Sequence, residues 1–199
     1  KSLAIKLKTL GPDHPDTAST YGNMAGVYDN QGEYTKALAF YDKDLAVTLK
    51  TLGPDHPNTA TTYGGMASVY DNQGENTKAL AFYDKSLAIK LKTLGPDHPD
   101  TATTYGGMAS VYHNQGENTK ALAFYDKSLA IQLKTLGPDH PDTATTYHNM
   151  GTLCYDMDDY AKSVEYLELA LKIRLKSLDP SHPDVTDTQE SIEAAKEML

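Results

Sequence analysis

Tryptophan is absent from the 199 residues, cysteine occurs once and phenylalanine three times. A lone Cys154 excludes an intramolecular disulfide framework and any Cys-based zinc finger. Three Phe against 14 Tyr imply aromatic packing whose rings keep a hydroxyl near water. Basic residues are also scarce: 18 Lys+Arg face 27 Asp+Glu, a formal charge of −9. Such a field repels phosphate, so no nucleic acid and no anionic membrane is expected as a partner. No apolar run approaches the ~20 residues needed to cross a bilayer, and no signal-peptide pattern opens the chain. A Gly-rich phosphate loop, GxSxG, HExxH and a Cys–His pairing are all missing, so neither an enzyme nor a cofactor is expected. Nothing alternates with period two, so no strands are expected.

What is present is repetition. Gly11, Gly53, Gly95 and Gly137 each open GPDHP at 42-residue intervals, and Asp179 begins a degenerate fifth copy, DPSHP. Residues 53–94 and 95–136 differ only at Asn58/Asp100, Asp71/His113 and Lys90/Gln132, whereas 11–52 and 53–94 differ at eight positions. Self-similarity of this kind means stacked units that contact mainly their neighbours.

Each unit reads as two helices. Tyr63, Met66, Ala67 and Tyr70 fall on one face of the first, which is expected to start after Pro57 with Asn58 as its N-cap and to stop before Gly74. Leu80, Tyr83, Leu87, Leu91 and Leu94 line the second, and Ala79, Phe82 and Ile89 add a second stripe. Two stripes suit a helix covered on two sides.

These residues resemble the tetratricopeptide repeat, in the 42-residue variety of kinesin light chains and related bacterial and animal proteins. Tyr63 stands at the first aromatic position, Met66–Ala67 at the usual Leu-Gly pair, Gly74 at the turn and Ala79 at the close-approach position. The turn tyrosine survives as Tyr34 and Tyr160 but is Asn76 and Asn118 between them, and Asp158 replaces the last turn glycine. The resemblance implies an all-α, right-handed solenoid. It is read as one array over 1–199: a partial repeat (1–10), four full repeats (11–52, 53–94, 95–136, 137–178) and a C-terminal capping helix (179–199). The capping reading rests on Gln189, Glu193 and Lys196 at positions that are apolar in the repeats. Because Lys1 lies inside a repeat, the N-terminus is expected to be a cut and the C-terminus a natural end.

His14, His56, His98, His140 and His182 recur once per unit, each beside an Asp. Stacking spaces them by roughly 10 Å, too far to share a metal, whose ligands stand about 2 Å away. They read as linker residues bonding local backbone, and no metal site is expected. Cys154 reads as a small core residue.

The resemblance further implies a concave groove, lined by the first helices, that binds peptide segments. Carried over, its residues are Asn23, Asp29 and Asn30; Thr61, Asp71 and Asn72; Thr103, His113 and Asn114; and His148, Asn149 and Tyr155. Asn23 and Asn149 match asparagines that hold a peptide backbone, where the middle units carry Gly65 and Gly107. No Lys or Arg occupies these positions, which excludes a carboxylate clamp. The groove glycines, each unfavourable by up to ~1 kcal/mol in a helix, serve either a closely approaching ligand or close helix packing. The expected function is therefore a non-enzymatic scaffold binding peptide or protein ligands, with a structural spacer or self-associating array as the alternative. A weak homodimer is expected through the N-terminal stripe Leu3, Ile5, Leu7 and Leu10, and a cytoplasmic location.

Overall fold

The computed structural model describes residues 2–199; Lys1, the expected start of the partial repeat, lies outside them. The described residues form ten α-helices and no strand: α1 (Ser2–Thr9), α2 (Pro15–Asn30), α3 (Tyr34–Thr51), α4 (Pro57–Asn72), α5 (Asn76–Thr93), α6 (Pro99–Asn114), α7 (Asn118–Thr135), α8 (Pro141–Asp156), α9 (Tyr160–Arg174) and α10 (Pro183–Glu197). They divide into two compact units, residues 2–96 and 97–199. In the first, α2 packs on α3 and α4 on α5; in the second, α6 packs on α7 and α8 on α9, with α10 against α9.

The linker histidine starts each first helix. The expected cap Asn58 is instead the second helical residue, and the cap is His56, whose Nδ1 accepts the Asn58 N–H at 3.1 Å. His14, His98, His140 and His182 do the same. Proline makes this work: it occupies the first helical position, where no N–H needs a partner, and leaves the ring nitrogen the next donor. The helix ends as expected at Gly74, which takes φ +73° while its N–H bonds the Asp71 carbonyl at 2.8 Å. In the last repeat Asp158 adopts that left-handed backbone at φ 59°, and its carboxylate accepts a 2.7 Å bond from the Tyr160 hydroxyl.

The linker that opens at Gly53 is pinned twice. Thr59 donates to the Gly53 carbonyl at 2.9 Å, and Lys92 reaches back from the end of α5 to Asp55 at 2.5 Å. Lys50–Asp13, Lys134–Asp97 and Lys176–Asp139 repeat the pairing. Between paired helices, Phe82 stacks with Tyr70 and tilts against Tyr63, with Lys85 over its face. Ala60, Ala67 and Ala79 are fully buried, so helices approach closely where side chains are smallest. In the second unit Ala109, Ala121, Tyr125, Leu129, Met150 and Leu153 form the core, and Cys154 is buried among such packing residues.

Candidate functional site

In the first unit the expected groove residues lie on α2 and α4, and two of them join: Asn72 donates to Asp29 at 3.0 Å across the helices. Asn23, Asn30 and Thr61 are exposed, while Asp71 is half-buried. The Thr61 hydroxyl is turned inward on its own helix, donating to the Pro57 carbonyl at 3.1 Å.

Helix packing accounts for the tightest of the glycines. A Cβ on Gly65 would lie 2.4 Å from Cζ of Tyr41, a residue of α3. The ring therefore lies in the notch that the glycine leaves, and its hydroxyl is 4.0 Å from where a Gly26 Cβ would be. A Cβ on Gly22 would approach Asp44 at 2.9 Å, and one on Gly151 would meet Leu167 at 2.6 Å. At Gly64 and Gly106 the nearest atoms, Ser86 and Ser128 hydroxyls at 3.5 and 3.6 Å, make ordinary contact.

In the second unit His113 bonds Asp156 at 2.6 Å, between positions equivalent to Asp29 and Asn72. Thr103, like Thr61, bonds back to its own helix, and Asn114 is exposed. Asn149 is half-buried, and Tyr155 meets Tyr160 edge-on at 5.3 Å. His148 faces α9 and α10: Nδ1 is 3.4 Å from both Arg174 and Thr188, and Nε2 is 3.4 Å from Asp187. Burial, reinforced by the Arg174 charge, lowers its pKa and favours the neutral ring.

One set of residues escaped the sequence reading. Where the second helix of one repeat meets the first helix of the next, a polar pair forms on a buried threonine. Thr62 donates to Asp44 at 2.8 Å, Thr146 donates to Gln132 at 2.8 Å, and Thr188 accepts from Arg174. Lys90, at the register of Gln132 and Arg174, is also buried. Asp44 is only 7% exposed, and burial raises its pKa to about 6 against the opposing pull of the Thr62 bond. The available signal was positional: the equivalents of Asp44 are Ser86, Ser128 and Ala170, the small residues of a covered site.

Metal chemistry finds no cluster of three or more ligating side chains among the described residues. The linker histidines direct Nδ1 into capping. No helix among the described residues is long and apolar enough to cross a membrane.

The tetratricopeptide repeat profile matches residues 1–43, 19–92, 66–130 and 100–176. The nearly identical TPR-like repeats of a Podosopora anserina protein assigned as a kinesin light chain are 25% identical, over 93% of this chain and 88% of that one, at a TM-score of 0.76. BtubC (BKLC) from P. vanneervenii is 23% identical over 92% of this chain and 73% of its own, with a TM-score of 0.81. The apo form of RapI is 19% identical over 90% and 63%, with a TM-score of 0.74. The last two show the fold alone. No curated protein matches the chain. With a repeat profile matched over most of its length and helix pairs to fit it, the chain belongs to the tetratricopeptide repeat family.

Proposed function

We propose that the chain is a non-enzymatic scaffold that binds peptide segments of partner proteins along the first-helix faces of its repeats. Its family generally mediates protein or peptide binding, and the chain's own residues favour the same use. The observation that carries the reading is the α2–α4 face, where Asn23 and Asn30 are exposed, Asn72 bonds Asp29 across the helices, and no Lys or Arg occupies the expected groove positions. Amides both donate and accept, which suits an extended peptide backbone. The twelve groove residues carried over from the resemblance are proposed as its contacts, with Asn149 the corresponding amide in the second unit. A cytoplasmic site of action and a peptide of neutral or basic composition belong to the same reading.

A panel of random heptapeptides displayed on phage, selected on the full chain, tests it. Synthetic copies of recovered peptides should bind weakly and lose affinity in Asn23→Ala or Asn149→Ala. Failure to recover any peptide, or recovered peptides indifferent to both substitutions, overturns the groove.

A specific observation also favours weak self-association. Ile5 is 62% exposed and Val27 55%, whereas their counterparts Ile89 and Val69 are buried. Leu7 contributes no distinct patch, because Leu49, Leu91 and Leu133 are as exposed. The dimer surface proposed here is therefore Ile5 and Val27, where burial of even ~100 Å² is worth roughly 2–3 kcal/mol. Sedimentation should show a weak dimer that Ile5→Ser with Val27→Ser abolishes; a monomer at every concentration overturns it.

A further inference from the structure

We propose that Tyr41, a second-helix residue, reaches through the glycine gap between α2 and α4 to hold the ligand in the first unit, and that this site prefers a peptide with a basic side chain. The inference rests on the peptide-scaffold reading above and assigns its anchor and its ligand chemistry.

Gly65 lacks the Cβ that would stand 2.5 Å from the Tyr41 hydroxyl oxygen, and Gly26 faces that hydroxyl from the opposite helix. A phenol belonging to α3 is thereby carried to the line along which α2 and α4 meet. In the second unit the residue at the register of Tyr41 is Tyr125, 3% exposed, and Asn149 stands where the first unit has Gly65. Gly65 in place of that asparagine is what gives the Tyr41 ring its notch in the first unit.

Charge selects the ligand. Burial, then the negative charges of Asp29 and Asp44, raises the Tyr41 pKa, so the phenol keeps its proton and donates it to a backbone carbonyl. Asp29 uses one oxygen for Asn72, and a carboxylate retains further acceptor sites for a Lys or Arg of the peptide. Asp71 adds a second carboxylate at the matching position of α4. The second unit answers differently, with His113 in place of that Asp and already bonded to Asp156.

Random heptapeptides displayed on phage are selected in parallel on the wild-type chain, Tyr41→Phe and Asp29→Asn. Tyr41→Phe keeps the ring in the Gly65 notch, so melting temperature should not move, which separates binding from folding. Wild-type selection should enrich peptides with one Lys or Arg, and their synthetic copies should bind Tyr41→Phe about three- to tenfold more weakly, the worth of one hydrogen bond. Asp29→Asn should remove the basic preference and flatten the salt dependence, while Tyr125→Phe, at the same register of the second unit, leaves binding unchanged. Peptides that bind Tyr41→Phe as they bind wild type but fail on Asn149→Ala overturn this inference and leave the scaffold standing. Recovery of no peptide at all overturns both.

Discussion

The α3–α4 junction of the first unit and the α7–α8 junction of the second are built on nearly the same sequence, yet they bury different chemistry. In both, a buried threonine donates a 2.8 Å bond, to the Asp44 carboxylate in one and to the neutral Gln132 amide in the other. Asp44 has burial against it and no cation among the causes that set its pKa. Gln132 carries no charge to desolvate. A neutral hydrogen bond contributes about 1 kcal/mol net, whereas a buried ionised group must first overcome the loss of water. Two junctions of one architecture can therefore differ in sign of response to pH and mutation, although their backbones repeat.

The largest contrast should come from removing the shared hydroxyl. Thr62→Val leaves the Asp44 carboxylate without that donor and should destabilise the first unit by about 2–3 kcal/mol at pH 7. Thr146→Val should lower the second by only about 1 kcal/mol. Denaturant melts followed by hydrogen exchange in each unit measure the two; equal losses would break the distinction.

Asp44→Ser, which copies Ser86 and Ser128, sharpens it from the other side. The folded carboxyl has a pKa of about 6, above its ordinary value of 3.8. Between those values the folded chain holds more protons than the unfolded chain, so stability falls as pH rises and levels off above about 6. The substitution should therefore stabilise the first unit by about 2 kcal/mol at pH 7 and by little at pH 4. Parallel pH profiles of variant and wild type would contradict this.

Acid should act oppositely on the last junction. His148 has its pKa lowered by burial and by Arg174, so below its ordinary value of 6.5 the unfolded chain binds the extra proton and the second unit weakens. Hydrogen exchange between pH 7 and 5 should slow in α3–α4 and quicken in α8–α10, and His148→Gln should remove the second effect alone. The smallest change belongs to the linkers: Lys92→Ala and Lys134→Ala should each shift stability by under ~0.5 kcal/mol, as exposed pairs do. A larger or unequal loss would show that the linkers, not only the buried polar pairs, distinguish the units.

The helices were readable because Tyr63, Met66, Ala67 and Tyr70 keep helical spacing and the whole pattern returns after 42 residues. The caps were misassigned by two positions, since Asn and Asp outrank imidazole as general caps while a following proline favours the ring nitrogen. Asp44 was missed because KALAFYDKDLAV places it beside charged Asp42 and Lys43; only its small counterparts mark a covered position. Groove positions came through resemblance, residue by residue. The Asp29–Asn72 bond and the Tyr41 notch did not, because each depends on how closely separate helices approach, which no spacing within one helix encodes.

The junction threonine has a consequence for how such a chain grows. As donor it meets Asp44 or Gln132, and as acceptor it meets Arg174. A hydroxyl rotates to suit either partner. A duplicated 42-residue block therefore arrives with a joint that fits acid, amide or guanidinium alike, and its insertion demands no matching substitution next door. Copies can accumulate first and diverge afterwards at the two partner positions, that of Asp44 and that of Gln132, which is the state of the nearly identical blocks 53–94 and 95–136, where Lys90 has become Gln132 or the reverse.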